Sequence, residues 1–497
     1  MNLLCAWADS CSPLNIFANP TKDKLMQRLE NVDAHNYYTH LIANKQRASI
    51  TCGYAGQHKG KAIYATDAFE PGDRIWSEFP FVAMQHQENK PNIQCCALCF
   101  IPLVDARVEW ERAHNSAEAS IAFADTNHDS LATFSELEKT IEYVRGVKVR
   151  NSEEILKHDF LTALDNAVVC EQCGEVYCSN NCQTIAYWEY HSLCCSYSLR
   201  NDSAMGRFKE HSIAINEIFL LAAKVVANVV LLYLKHSDLE KARFAVDQFH
   251  KLDWWDVVVS EEDVRDSGQT MEEYKASFRD LISQTFACFQ AGLEENLETL
   301  FRVEREQYSS ITSVDEVCSA CEDILNVDFF AKIVGMFEMN SISMEIDHPL
   351  QALNAELQEM SNLENEAKNR VARTLELASA STSSTSSSSE ERSLREENFC
   401  LDKKPLPGPF IGVEGTALFS LICTMNHSCL PNCIVVYGHN GEAHVHAIQA
   451  IQPKDELCIE YIDTDRSYDE RQYELREYHF RCQCMKCMRE ECAGDSE

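Results

Sequence analysis

At 497 residues the chain has room for about two to four domains, and its composition is that of a globular protein with a sizeable core. A formal net charge of −34 argues against holding nucleic acid through bulk charge and favours a basic, lysine-rich partner. The opening Met1–Asp9 has neither a basic segment nor a long apolar run, so no secretory signal is expected, and the 24 cysteines read as thiols of a reducing compartment, cytoplasmic or nuclear. Thiols at fixed short spacing in such a compartment are metal ligands.

Residues 1–47 read as a polar lead-in with a helical pattern from Lys22 to His40. From Ala48 the texture turns to strand. Gly56-Gln-His-Lys59-Gly60-Lys-Ala62-Ile63-Tyr64 precedes Glu70-Pro-Gly72-Asp73, and a second apolar strand is expected through Trp76 to Met84. A glycine pair at the start of a small sheet lets backbone approach a ligand closely, although alone it reads as an ordinary hairpin.

A cysteine-histidine cluster follows: Cys96-x2-Cys99, a gap of 70 residues, then Cys170-x2-Cys173-x4-Cys178-x3-Cys182-x8-His191-x3-Cys195. Seven thiols and one imidazole make two tetrahedral zinc sites, closed and structural, with Cys95 and Cys194 as adjacent alternatives to Cys96 and Cys195. Inside the gap, Asp125, Asn127, Asp129 and Glu136 match ligand positions of an EF-hand calcium loop between amphipathic flanks, Val108–Phe123 and Leu137–Val144. Ser130 stands where the sharp turn needs glycine and no second hand is visible. A polar turn capped by Asp125 is therefore the better reading, with Ca2+ as the alternative.

From Ala204 to about Leu375 apolar residues recur at helical spacing, in Ile213–Leu234, Phe278–Phe289 and Phe329–Phe337. The most apolar run, Ile218–Leu234, is interrupted by Lys224 and Asn228 and reads as a buried helix, so no membrane partner is expected. Cys318 and Cys321 lie in this helical context as a thiol pair without a second pair nearby. The serine-threonine run after Leu377 cannot bury enough surface to order itself and is expected to be a flexible loop.

Asn426-His427-Ser428-Cys429-Leu430-Pro431-Asn432 is a poor helix and a poor strand interior, hence a loop built for contacts. Strand-like runs surround it: Thr416–Thr424, Ile434–Tyr437, Ala443–Ile448 and Glu456–Tyr461. Near the end comes Cys482-x-Cys484-x2-Cys487, three ligands where a closed zinc site takes four. Cys423, Cys433 and Cys458 are rivals for the fourth position but read as sheet-core residues; His439, His444 and His446 read as strand or turn histidines.

The Asn-His-Ser-Cys-x-Pro-Asn loop, the strand ending in tyrosine and the final three-cysteine motif resemble the C-terminal half of a SET methyltransferase domain with its post-SET zinc site. The cysteine-histidine cluster resembles a MYND finger. The order of parts is that of the SET and MYND domain-containing proteins, and the long insertion in the finger and the early stop point to the branch of member 5. The resemblance implies an α+β fold: a SET-domain β-fold of small β-sheets with a knot-like C-terminal loop, interrupted by a zinc-binding MYND finger and a helical insert. The parts are then a lead-in 1–47, SET start 48–94, finger 95–195 with insertion 100–169, helical insert 196–376, serine-rich loop 377–398, SET finish 399–465, post-SET motif 466–490 and an acidic tail 491–497.

The resemblance also implies a function, S-adenosylmethionine-dependent protein-lysine N-methylation, with Tyr461 as the catalytic tyrosine that orients amine and methyl. Lys59, Gly60, Ala62, Ile63, Tyr64, Asn426, His427, Tyr461 and Phe480 would contact S-adenosylmethionine, and Tyr478 and Phe480 would wall the lysine channel. The finger's ligand pairs interleave in this family, so Cys96, Cys99, Cys178 and Cys182 would hold one zinc and Cys170, Cys173, His191 and Cys195 a second. Cys429 would complete a third with Cys482, Cys484 and Cys487. Implied partners are a basic lysine-containing protein segment, histone or ribosomal, and proline-containing peptides at the finger, with the chain a monomer. Ala62 departs from the family, which has glycine there, and motivates an alternative: a non-catalytic adaptor with an inactive SET fold. Every zinc cluster being fully ligated by protein argues against a metal-dependent hydrolase.

Overall fold

The strands come from the two ends of the chain and from the cysteine-rich region, and the helices come mostly from the middle. The computed structural model describes residues 32–44, 48–56, 59–124, 131–150, 164–198, 202–308, 313–359, 366–380 and 410–494. In chain order the strands are β1 (Ile50–Tyr54), β2 (Lys61–Ala65), β3 (Arg74–Glu78), β4 (Val82–Gln85), β5 (Val168–Val169), β6 (Val176–Tyr177), β7 (Ile342–Ile346), β8 (Val413–Leu418), β9 (Asn426–His427), β10 (Cys433–Tyr437), β11 (Ala443–Ala447) and β12 (Glu456–Ile459). They make small sheets in the orders β1-β2-β12-β9, β10-β11-β3 and β4-β8-β7, plus the hairpin β5-β6. Each sheet except that hairpin joins strands from both sides of the helical middle, which is how segments far apart in sequence share one site. Alternation sets the faces: Ala443, Val445 and Ala447 of β11 point inward while His444 and His446 do not.

Two local readings need correction. The strand expected through Trp76 to Met84 is two strands in different sheets, because Phe79-Pro80-Phe81 breaks it and proline donates nothing to a ladder. The stretch read as helical from Ala204 to Leu375 contains β7, which pairs antiparallel with β8 from Ile342–Ala417 to Ile346–Val413.

The helical middle has its own core. Helix Ile218–His236 is by length and composition apolar enough to cross a membrane, but it is a core helix, with Phe219, Val226, Val230 and their neighbours buried. Helices Met271–Val303 and Val327–Asn340 pack around it through Phe289, Leu293, Phe330 and Val334. Burying each such side chain contributes roughly 1.5–3 kcal/mol. Asn216 breaks the helical run that starts at Ala204: its side-chain oxygen accepts the Ile218 N–H at 2.9 Å, opening the second helix.

The finger's insertion belongs to a different core from the finger. Helices Ala106–Ala124 and Phe134–Arg150 pack against Pro349–Glu359 and Glu366–Ala380 around Trp110, Leu137, Ile141, Leu353 and Leu375. Arg370 pairs with Glu136, and Ala132 N–H donates to Thr374 Oγ1 at 2.9 Å. The last helix runs through Ala380, past position 376 where the helical insert was expected to end; the rest of the serine-rich stretch lies outside the described residues.

Candidate active site and metal centres

Asn426 and His427 are not loop: they form β9, parallel to β12, with Asn426 opposite Cys458 and His427 opposite Ile459. Asn432 extends this stitching, its Oδ1 accepting the Cys458 N–H at 2.8 Å and its Nδ2 donating to the Glu456 carbonyl at 2.9 Å. Behind them Glu78 is buried, and its carboxylate accepts the N–H groups of Leu421 and Ile422 at 3.0 and 3.1 Å. That contact fixes the turn Ile422–Thr424 from which the chain enters β9.

Tyr461 is held at both ends. Its N–H donates to His427 Nδ1 at 3.0 Å and its hydroxyl donates to the Met425 carbonyl. The hydrogen bond to Nδ1 leaves the imidazole proton on Nε2, which faces Cys429 Sγ at 3.2 Å. Burial, helped by Arg471, pushes His427 down to about 4, so the ring is neutral near pH 7. Burial, with Cys423 and Tyr478 adding, holds the Tyr461 phenol well above its usual range, so it remains a neutral hydroxyl. Tyr478 lies 5.2 Å and Phe480 6.4 Å from the Tyr461 ring, with His427 5.4 Å away. The turn between Tyr478 and Phe480 is made by His479 in a left-handed conformation (φ 58°), which brings both rings to Tyr461.

The hairpin reaches the same place from the other side. Gly56 and Gly60 have φ of 99° and 69°, conformations glycine adopts without strain. Lys59 Nζ lies 2.7 Å from Glu456, whose other carboxylate oxygen accepts from Asn426 Nδ2 at 2.9 Å. Asn426 Nδ2 also donates to the Lys61 carbonyl at 3.0 Å, so both amide hydrogens are committed and the group is oriented. Ala62 and Ile63, expected as ligand contacts, are fully enclosed in this conformation. Tyr64 is half-buried with its ring against Gly53, where an added Cβ would come within 2.9 Å.

Among the described residues, twelve of the expected ligands gather into three groups of four: Cys96, Cys99, Cys178, Cys182; Cys170, Cys173, His191, Cys195; and Cys429, Cys482, Cys484, Cys487. Sulfurs at the corners of a zinc tetrahedron sit about 3.8 Å apart, given bonds of ~2.3 Å. Here Cys178 and Cys182 are 3.5 Å apart, Cys99 and Cys178 3.6 Å, Cys170 and Cys195 4.0 Å, and Cys429 and Cys487 3.5 Å. The donor sets therefore fit zinc. Cys95 and Cys194 stand outside these groups, Cys95 donating to Gln85 Oε1 at 3.2 Å. Cys423 accepts the Phe419 N–H at 3.1 Å, and Cys433 and Cys458 are buried in β10 and β12. His439 pairs with Glu356, His444 with Ser77 and His446 with the Gly72 carbonyl.

The SET domain family model matches residues 60–462, most of the chain and both halves of this site. The chain belongs to the SET domain family. It is 26% identical over 486 residues, 90% of this chain and 92% of the relative, to histone-lysine N-methyltransferase ATXR2 of Arabidopsis thaliana. It is 24% identical over 433 residues to the mouse protein-lysine N-trimethyltransferase SMYD5, covering 85% of this chain and 81% of that protein. A shorter match, 49% identical over 49 residues, is to the rat N-lysine methyltransferase SMYD2, covering 10% of this chain and 11% of that protein.

In this SET domain three polar residues do structural work that sequence reasoning missed: Glu78, Glu456 and Arg471. Arg471 is 1% exposed and donates to Glu490 at 2.6 Å and to Cys487 Sγ at 3.7 Å, placing a cation beside the third cysteine group. Its four-residue spacing to the buried Leu475 was the available signal, since both fall on one helix face. Of the candidate calcium ligands, Asp125, Asn127 and Asp129 lie outside the described residues. Glu136 is committed within the fold, one oxygen accepting from Thr133 N–H at 2.8 Å and the other paired with Arg370. That is a helix-capping role.

Proposed function

We propose that this chain transfers a methyl group from S-adenosylmethionine to the side-chain amine of a protein lysine, in the cleft where Tyr461 meets His427, Tyr478 and Phe480. Its family and the class its long-range relatives share make it a protein-lysine N-methyltransferase. The observation that carries the cleft assignment is the packing of the other three rings against Tyr461, whose hydroxyl burial keeps protonated.

S-adenosylmethionine, when bound, would supply a sulfonium methyl to in-line attack by a neutral amine, the N–C bond forming as the S–CH3 bond breaks and S-adenosylhomocysteine leaves. The chain's residues do the rest. Lys59 and Gly60 of the hairpin and Asn426 and His427 of β9 line the cofactor side, with Glu456 holding Lys59 and Asn426 in place. Tyr478 and Phe480 wall the lysine side, and their apolar surfaces disfavour an ammonium, so the substrate amine loses its proton more readily. The Tyr461 hydroxyl, its hydrogen given to the Met425 carbonyl, keeps lone pairs with which to accept an amine N–H and aim the nitrogen. Three zinc ions in the cysteine groups would be structural, since each group supplies all four ligands. The charge of −34 suits a cationic substrate segment such as a histone tail or a ribosomal protein, and the finger is the place for a proline-containing peptide.

The adaptor alternative rested on Ala62. That methyl is enclosed, so it does not obstruct the cleft and no observation favours the alternative. Calorimetry of the zinc-loaded chain with S-adenosylmethionine tests the reading: saturable binding is expected, and a flat titration would end it.

A further inference from the structure

A cavity of about 330 Å3 lies where β4 and the turn after it meet the finger and the helices Ala204–Ile215 and Ile218–His236, apart from the methyl-transfer cleft. Three lysines from three separate segments line it: Lys90, Lys209 and Lys224. The lining holds one carboxylate, Glu175 in the turn between β5 and β6. Lys90 Nζ is 4.0 Å from that carboxylate. Lys224 Nζ donates to the Ala83 carbonyl at 3.0 Å and stands 4.6 Å over the Tyr190 ring. Lys209 has no hydrogen-bond or ion-pair partner among the described residues.

The charges do not balance. Glu175 can offset one of the three ammoniums, that of Lys90, which it faces. The neighbouring group Cys170, Cys173, His191 and Cys195, if it held a divalent ion on three thiolates, would carry one net negative charge. Within this lining three ammoniums then leave one positive charge over, in a chain whose net charge is −34. Clustered, partly buried like charges are unfavourable unless an opposite charge satisfies them. The room beside Lys209 is the place for one.

We infer that this cavity binds a small ligand through an oxyanion group, carboxylate or phosphate, clasped by Lys209 and Lys224 with Lys90 at the rim. The competing role for the lysines is as fixed counter-ions to Glu175 and the thiolates. The two differ in what the empty protein needs. For a ligand site, Lys209→Met removes an unsatisfied charge, so the ligand-free protein melts at the same temperature or higher. For a counter-ion, it loses stability and zinc.

The test uses the full zinc-loaded chain, with inorganic phosphate and malonate as probes at constant ionic strength and chloride as control. Calorimetry should show saturable binding of at least one probe. Lys209→Met should weaken it at least about tenfold, the loss of one charge-assisted contact, and Lys209→Arg should keep it. Binding of phosphate alone assigns a phosphate ligand, and binding of malonate alone a carboxylate. The inference is overturned if neither probe binds, if Lys209→Met binds as the parent does, or if Lys209→Met lowers the ligand-free melting temperature and releases zinc.

Discussion

Tyr461 is tied at one end to His427 and at the other to Met425, and its hydroxyl makes a contact that only an O–H can make. Tyr461→Phe keeps the ring and its packing against Tyr478. Single-turnover methylation should therefore fall by about a hundredfold, in the range seen when one orienting group is removed, while cofactor affinity stays within about threefold by calorimetry. Unchanged turnover would remove Tyr461 from its role. Glu78 makes a stability prediction of the same kind. Glu78→Ala leaves the buried N–H groups of Leu421 and Ile422 without acceptors, which costs about 2–6 kcal/mol at roughly 1–3 per group. Denaturant unfolding measures it, and a cost below about 1 kcal/mol would show that water replaces the carboxylate.

Elements carry the next set of consequences. The helix Val327–Asn340 approaches the segment before Trp254 so closely that a Cβ on Gly335 would fall 2.2 Å from the Leu252 carbonyl oxygen. Gly335→Ala must push the two apart, and a loss of about 3 kcal/mol is expected by chemical denaturation. The joint between β4 and the helical middle is the His86–Glu217 pair at the start of helix Ile218–His236. Its hydrogen bond to Glu217 outweighs burial and raises His86 above 6.5, while Glu217 is lowered below 4.5 by His86 and the Gln87 N–H despite burial. A raised histidine stabilises fully below its unfolded value and loses that as pH rises through the folded one; a lowered carboxyl stabilises above its unfolded value and loses that as pH falls. The joint should thus be tightest between about 4.5 and 6.5 and weaken above it. Melting curves across that window should show the weakening, and Glu217→Gln should flatten it.

Elements also mark where the sequence was legible. The ligand pairs could be read because their spacing is set locally, as in Cys96-x2-Cys99 and Cys178-x3-Cys182, whereas the way they combine into quartets came from the family resemblance. β7 could not: five residues of alternation in a helical neighbourhood gain meaning only when β8 arrives beside them. The shared core of residues 106–150 and 349–380 was hidden for the same reason, since an amphipathic face does not name its partner. Nothing in the sequence names the buried backbone partners of Glu78 or the cysteine partner of Arg471.

At the scale of the whole molecule, the third cysteine group and the proposed cofactor side of the cleft are one structure. His427 Nε2 faces Cys429 Sγ while its Nδ1 holds the Tyr461 backbone, and Tyr478 and Phe480 lie just ahead of Cys482 in the chain. Stripping zinc should therefore loosen Tyr461, Tyr478 and Phe480 together and weaken S-adenosylmethionine binding at least about tenfold, beyond any loss of stability. A chelated protein that stays folded and binds the cofactor as before would contradict that coupling. The most direct test of the account is mass spectrometry of a lysine-rich protein mixture, histones and ribosomal proteins together, incubated with the zinc-loaded chain and isotope-labelled S-adenosylmethionine. The account predicts labelled methyl groups on lysine side chains, reduced by about a hundredfold with Tyr461→Phe. Label appearing equally with both proteins, or none with either while both bind the cofactor, would contradict it.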